Sequence, residues 1–333
     1  MIIGKKRDLF LFILLSSVLV LAIFLHLISG QIAISFSEFS AAIFHFDPNN
    51  TKHIVALEFR LPRVTMALLA GAGLSISGML MQTLFNNPLA GPYVLGINSG
   101  SSLFVAFSMM TGFAFFQTDF GIITSALIGA LIFGFVILGF SLFVKSHISL
   151  LLIGLMLGSF TGSIISILQT FSSAQELKAF TMWTMGSLQH VQLQQLPIIL
   201  LLFMLSVFLC LFLIKPLNVL VLGENTTAAL GMNVKRIRIA TISITALFTG
   251  LITAFCGPIA FVGLAVPNVT RYLFRTQSHS KLLVANFFLG AIFLLLSDTI
   301  IQLLEHKIQL PINAFTSIIG APIIILIVLK RIK

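Results

Sequence analysis

Glu58-Phe59-Arg60-Leu61-Pro62-Arg63 opens the stretch that decides the fold. An apolar run follows, carrying Gly71, Ala72, Gly73, Ser75, Ser77 and Gly78, then Gln82. The stretch closes on Asn86-Asn87-Pro88-Leu89-Ala90-Gly91-Pro92 and a last glycine-bounded segment, Gly96 to Gly100. Two arginines stand at one end of a membrane-length segment and a polar turn stands at the other. Small residues at this density let helix backbones approach closely, which is how helices associate in lipid. The segment therefore reads as a helix inside a bundle, anchored by charge at one end.

The rest of the chain agrees. Of 333 residues, 58% are hydrophobic and 8% are charged, where a soluble globular protein carries about 25% charged residues. The mean hydropathy is +1.12. This is a polytopic, all-α membrane protein forming a single transmembrane domain over 1–333. The net charge of +10 does not signal nucleic acid, because the basic residues sit in short connections between apolar runs, where they set orientation.

A span needs about 20 mostly apolar residues. That rule predicts ten helices, near 9–29, 60–84, 92–111, 119–143, 149–170, 194–214, 236–256, 258–274, 282–303 and 312–329. Lys5-Lys6-Arg7 followed by an apolar run resembles a signal peptide. The run is longer than the 7–15 residues of a signal core, so it reads as a retained first helix. With the N-terminus inside, the cytoplasmic segments hold 14 of the Lys and Arg residues and the outer segments hold 5 (Lys52, Arg60, Arg63, Lys178 and Lys307). This bias places both termini in the cytoplasm.

Three connections exceed simple turns: 30–59, 171–193 and 215–235. Trp183, the one tryptophan, reads as an interface anchor or a substrate contact. In 215–235, Gly223 and Gly231 punctuate two short helical pieces, with Glu224 where an acid suits a helix start. Gly91-Pro92 and Gly257-Pro258 fall on opposite sides in this topology. That echo suits an inverted repeat of helices 2–5 and 7–10.

Catalytic patterns are missing from the sequence. There is no G-x-x-x-x-G-K-[ST] loop and no H-E-x-x-H, and Gly71-Ala72-Gly73 lies inside an apolar span. No metal site is expected: Cys210 and Cys256 lack metal spacing and read as packing residues. Asp298 is the clearest intramembrane charge, either a functional group or a brace for a neighbouring helix. His26 is the one histidine well inside a span. An ion-coupled secondary transporter would show several such charges, and a membrane enzyme would need a nucleophile paired with a base. The pattern points to a passage driven from outside.

At the level of motifs the chain resembles the FecCD-type permeases, the membrane subunits of ABC importers for iron-siderophores, haem and vitamin B12. The resemblance rests on Arg60-Leu61-Pro62-Arg63, Gly71-Ala72, Ser77-Gly78, Gln82 and Asn87-Pro88-Leu89-Ala90. It continues through Trp183, Gly186-Ser187-Leu188, Leu222-Gly223-Glu224 and Ala229-Leu230-Gly231. Gly257-Pro258-Ile259, Phe261 to Leu264, Pro267, Arg271, Asp298, Leu310-Pro311, Thr316 and Gly320-Ala321-Pro322 complete it.

The resemblance implies a type II importer fold and a permease dimer, of the same or a homologous second permease chain. It also implies two cytoplasmic ATPase subunits that bind ATP and magnesium, and an extracytoplasmic substrate-binding protein. This chain itself would bind no cofactor. Arg60 and Arg63 would meet carboxylates of the binding protein, a pairing that two arginines at a helix mouth suit. Leu222, Gly223, Glu224, Ala228, Ala229, Leu230 and Gly231 would couple to the ATPase. Ser146, His147 and Ile148 would form the inner gate. Gly71, Gly73, Ser77, Gly78, Gln82, Asn87 and Pro88 would pack the second helix beside the path. The implied setting is a bacterial cytoplasmic membrane and the implied cargo a ferric siderophore, with haem or cobalamin as alternatives. The chain departs from the family pattern at Asn86, Asn268, Ser278, Ser280, Gln302 and Gln309, each removing an expected charge or histidine, with Lys307 a possible substitute for an arginine at 302.

Overall fold

The computed structural model describes residues 2–111, 118–144, 146–305, 308 and 310–332. Lys307 and Gln309 lie outside the described residues.

The described chain is helical. Helix α1 spans Ile2–Ile28, α2 Phe36–Phe44 and α3 Thr51–Ile54. A π-helical stretch, Val55–Arg60, leads without a break into α4, Leu61–Leu84. Then come α5 (Ile97–Met110), α6 (Asp119–Phe143), α7 (His147–Phe171), α8 (Ala174–Thr184) and α9 (Leu196–Leu220). The chain ends with α10 (Glu224–Ala229), α11 (Val234–Cys256), α12 (Val262–Phe274), α13 (His279–Leu304) and α14 (Ile312–Ile332).

Each predicted span has a helix at its place, but not all are alike. Seven are long and apolar enough to cross a membrane. Helices α5 and α12 have 14 and 13 residues, about 20 Å of rise against a hydrocarbon core of about 30 Å. The apolar part of α14 runs Ile312–Ile327.

Four boundaries differ from the sequence reading, each for a local reason. Helix α1 begins at Ile2, so Lys5-Lys6-Arg7 are helical. Arg7 donates to the Phe274 carbonyl at 2.8 Å and Asp8 pairs with Lys281 at 2.5 Å, which fastens this end to the bundle. The predicted 92–111 helix is broken: Pro92–Leu95 is a 3-10 turn, Gly96 takes a φ of +72°, and α5 starts after it. The predicted 258–274 helix starts only at Val262, after Gly257 at φ +68° and Phe261 at φ +66°. Finally, α9 runs through Pro216 to Leu220, so the first of the two short pieces predicted in 215–235 belongs to the preceding span. A proline removes one backbone hydrogen bond, and surrounding helices can compensate for it in a bundle.

Helix α4 is the centre: 89% of its most apolar window is buried, and it packs on α13, α11, α12 and α9. Its small residues make this possible. A Cβ on Gly71 would stand 2.1 Å from the Gly290 carbonyl oxygen of α13, and one on Gly78 would stand 1.7 Å from that of Gly263 in α12. Gly73 faces Ile252, Phe248 and Phe203. The wall of α11 and α9 at this level is set by Phe203 and Phe248, edge to face at 5.5 Å. Helices α1, α7 and α9 are the least covered, with 17%, 17% and 28% of their apolar windows buried.

Candidate functional site

The end of the bundle where α1 finishes and α4 begins carries a buried ionic network. Asp298 of α13 is at its centre. Arg63 of α4 holds it as a fork, Nε to Oδ2 at 2.7 Å and Nη2 to Oδ1 at 2.9 Å. His26 of α1 meets Oδ2 at 2.8 Å, and the Gln302 amide donates to the same oxygen at 3.2 Å. Arg63 Nη2 also reaches Glu305 at 2.7 Å, and Glu305 accepts from Gln189 at 2.6 Å. Three helices that are far apart in sequence are thus tied by one carboxylate. Of the two readings open for Asp298, the brace is the one this geometry displays. Gln302, one of the departures from the family pattern, fills its place by hydrogen-bonding Asp298 where an arginine would have added charge.

Arg60, one turn before Arg63, points elsewhere. It is buried and its guanidinium donates to the carbonyls of Leu27 and Ile32. It caps the end of α1 and holds the connection that follows. The sequence showed the pair of arginines but not that each would be claimed by a different internal partner.

The same end carries the α2–α3 hairpin. Ser35 and Glu38 form a capping box, and Lys52 donates to Glu38 at 2.6 Å. Lys52 first, then the Ser35 backbone amide and hydroxyl, lower the Glu38 carboxyl from 4.5 to about 2. A carboxyl depressed in the folded state stabilises above its unfolded value and loses that contribution as pH falls through its folded value. The protection factors of backbone amides across 35–53, with the intrinsic pH dependence of exchange divided out, should therefore be unchanged from neutral pH to about 5 and should fall between 4.5 and 2. In a Lys52→Ala chain the change should be smaller and should be complete at a higher pH, because the folded value of Glu38 is less depressed. Equal profiles for both chains would show that the pair does not hold the hairpin.

At the opposite end of α4 the polar turn is tied into α12. Gln82 donates to the Leu264 carbonyl at 3.1 Å and accepts from Arg271. Asn87 accepts from the Leu89 amide at 2.9 Å, which closes the turn around Pro88. The Pro88 carbonyl accepts from Asn268 at 2.8 Å. Asn86 takes a φ of +44°, a left-handed conformation that asparagine tolerates better than most residues. Ser77 donates to its own helix, at Leu74. His279 stands between Thr83 of α4, at 2.9 Å, and Asn218 of α9, at 2.8 Å.

Beside this turn, Leu220 to Gly231 form a protruding corner. Gly223 at φ +104° and Gly231 at φ +79° make its two bends. Thr227 is buried and donates back to Gly223 at 2.8 Å, while Glu224 pairs with Arg238 at 3.0 Å. Ala228 and Ala229 complete α10. Leu222 and Leu230 are 63% and 61% exposed. A corner held on the inside by Thr227 and Arg238, with two leucines turned outward, has the shape of a docking knob. Ser146 caps α7 by accepting from the Ser149 amide at 3.4 Å, and Ile148 is exposed; the His147 side chain lies outside what the structure describes.

Trp183 packs against Phe180 with ring centroids 6.4 Å apart, at the margin of a cavity of about 250 Å³ that also touches Asp119 and His190. Cys210 and Cys256 are buried and unpaired. One feature the sequence reading passed over is on α7. Ser159, Ser163, Ser166 and Thr170 recur at helical spacing, and all four are exposed. Their hydroxyls donate to carbonyls of their own helix, at Leu155, Ser159, Gly162 and Ser166. The 4-3-4 spacing was the signal available in the sequence.

The described residues form a helical bundle with seven helices long and apolar enough to cross a membrane, as in a multi-pass membrane protein. Residues 18–330 match the model of the FecCD transport family, and the chain belongs to that family of ABC importer permeases. It is 31% identical over 305 residues to the hemin transport system permease protein HmuU of Yersinia pestis, covering 91% of this chain and 90% of that one. It is 30% identical over 310 residues to the iron(3+)-hydroxamate import system permease protein FhuB of Bacillus subtilis, covering 91% and 79%. A solved structure described as an inward-facing conformation of a putative metal-chelate type ABC transporter superposes with a TM-score of 0.85, at 30% identity, over 96% of this chain and 99% of that one.

Proposed function

We propose that this permease carries a ferric siderophore across a bacterial cytoplasmic membrane, with both termini on the cytoplasmic side. The observation that carries the passage is the hydroxyl row on α7: Ser159, Ser163, Ser166 and Thr170 stand exposed on a helix long enough to span. Their hydroxyls are satisfied within the helix, and a row of small side chains suits close approach of a partner helix. Weakly polar groups suit a path that must not hold its cargo tightly. The iron chelate is supported by the likeness to a hydroxamate permease and to a metal-chelate transporter; haem and cobalamin are the alternative cargoes.

In this reading two permease chains, identical or homologous, pair along α7 and enclose the path. Two separate ATPase subunits bind ATP and magnesium and engage Leu222, Leu230 and the rest of the 222–231 knob. The binding protein docks at the α1–α4 end. There Arg63 exchanges its rim partner Glu305 for an incoming carboxylate, and Arg60 keeps the adjoining loop in shape. Ser146, His147 and Ile148 close the cytoplasmic mouth. The chain performs no chemistry of its own.

The test is uptake into proteoliposomes holding the permease with its ATPase and binding protein. A ferric trihydroxamate, haemin and cyanocobalamin are supplied in turn. ATP-dependent accumulation of the ferric trihydroxamate is expected, and Leu222→Asp with Leu230→Asp should abolish it while leaving the permease folded. Uptake driven by an ion gradient without the ATPase would overturn the importer reading. Preference for haemin or cyanocobalamin would replace the cargo.

A further inference from the structure

The face of α1 turned away from the bundle carries Leu21, Phe24, Leu25 and Ile28, all exposed. They stand at i, i+3, i+4 and i+7, so they form one helical stripe. Only 17% of the apolar window of α1 is buried, and in a membrane this stripe meets acyl chains. Helix α1 packs on α13 and α4, whereas α7 packs on α5 and α6. The stripe and the α7 face therefore belong to different parts of the bundle.

The stripe does not stop where α1 ends. The Phe36 ring, at the start of α2, lies 6.0 Å from that of Phe24. Helix α2 extends the apolar surface from there. Phe36, Ile43 and Phe44 stand at i, i+7 and i+8 on one side, and they are 62%, 49% and 76% exposed. Phe39 and Ala42 take the next side and are buried with Ile34 and Ala56. Ser37, Glu38 and His45 take the remaining side, where Glu38 is held by Ser35 and Lys52. Helix α2 thus has a packed face, a polar face and a bare apolar face.

Its height matches the surface of a bilayer. Arg60 holds the Leu27 carbonyl, at the end of α1. Ala56, against which α2 packs, is four residues before Arg60, within about 6 Å along the rod. The headgroup region adds about 5–8 Å to each side of the hydrocarbon core, so α2 stands at its level.

We propose that α2 is an interfacial helix whose partner is the phospholipid surface. Phe36, Ile43 and Phe44 are set into the leaflet in which α1 ends, and Ser37, Glu38 and His45 face water. The contact between Phe24 and Phe36 favours lipid over a soluble protein, because it joins the bare face of α2 to a surface already covered by acyl chains. The only Lys or Arg from Gly30 to Phe59 is Lys52, which pairs with Glu38, so neutral phospholipid is enough. The inference rests on the membrane topology and not on the cargo.

The experiment places the full chain in nanodiscs of phosphatidylcholine, with a nitroxide on Ile43→Cys, Phe44→Cys or His45→Cys. Cys210 and Cys256 are buried, and the parent chain gives their background labelling. Power saturation compares oxygen, which concentrates among acyl chains, with a water-soluble nickel chelate. The labels at positions 43 and 44 should meet oxygen more than nickel, at a depth of about 5–10 Å, and the label at position 45 should show the reverse. Adding Phe36→Ser, at an exposed site, should shift the label at position 43 toward nickel by cutting the link to α1. Equal access of nickel to all three labels would mean that α2 stands clear of the bilayer and would overturn the proposal. Labels at positions 43 and 44 that are aqueous in the nanodisc and become immobile only when the binding protein is added would assign the face to that protein and would also overturn it. Neither failure bears on ATP-dependent uptake, which this experiment does not measure.

Discussion

Replacing Asp298 with alanine should cost about 3–5 kcal/mol, the usual consequence of removing one partner from a buried ion pair. The size follows from what remains. Arg63 would lose both prongs of its fork, and His26 and Gln302 would lose the oxygen they share. Asp298 is 2% exposed, so water does not replace it. The damage should be read as a lowered thermal midpoint in detergent and as loss of folded yield. It should also free the end of α1, seen as faster amide exchange over 20–28. Glu305→Gln is the matched control. Glu305 is the rim partner, with a side chain 16% exposed; Gln keeps an oxygen that Arg63 and Gln189 can donate to, so the change should cost about 1 kcal/mol, the difference between a charged and a neutral hydrogen bond. Equal melting of Asp298→Ala and the parent chain would show that the network does not brace the bundle.

Gly78→Ala should be strongly disruptive for so small a change. The new methyl group would sit 1.7 Å from the Gly263 carbonyl oxygen and 2.5 Å from its carbon. Both are backbone atoms, so no rotamer change relieves the clash, and α4 and α12 must separate. Overpacking in a core usually costs about 1–3 kcal/mol and sometimes more; a contact between two backbones belongs at the upper end or beyond it. Gly71→Ala repeats the problem against Gly290 at 2.1 Å. Gly139→Ala supplies the contrast, because nothing lies within 4 Å of its Cβ. There alanine should be neutral or should stabilise by up to about 1 kcal/mol through helix propensity. Size-exclusion profiles and thermal midpoints of the three variants decide it. If Gly78→Ala matches Gly139→Ala, the close crossing of α4 and α12 is wrong.

Much of this architecture was legible before any coordinates. Apolar runs bounded by charge or turn residues located the spans, and Asp119–Phe143 has the same limits in both descriptions. Runs of that kind are long-range signals, averaged over many residues. What stayed hidden depended on single residues in three dimensions. Gly96 looked like one more small residue in a helix, and only its positive φ shows that it breaks one. Lys215-Pro216 looked like a stop, yet α9 continues past it. Arg60 and Arg63 looked equivalent, because spacing does not tell that one meets carbonyls of α1 and the other a carboxylate of α13.

The π-helical stretch Val55–Arg60 adds a matter of phase. With α3 and α4 it makes one unbroken rod, Thr51–Leu84, of 34 residues. Each π turn takes in one residue more than an α turn, and one residue of α-helix corresponds to about 100° of rotation. Everything before Val55 is therefore indexed about a quarter turn away from the lattice that α4 presents to α13. The insertion acts like an offset keyway on a shaft. It lets the stem at Thr51 face the α2 hairpin while Arg63, about three turns later, still faces Asp298. A twist applied to the hairpin would reach the core without the two faces having to share a side.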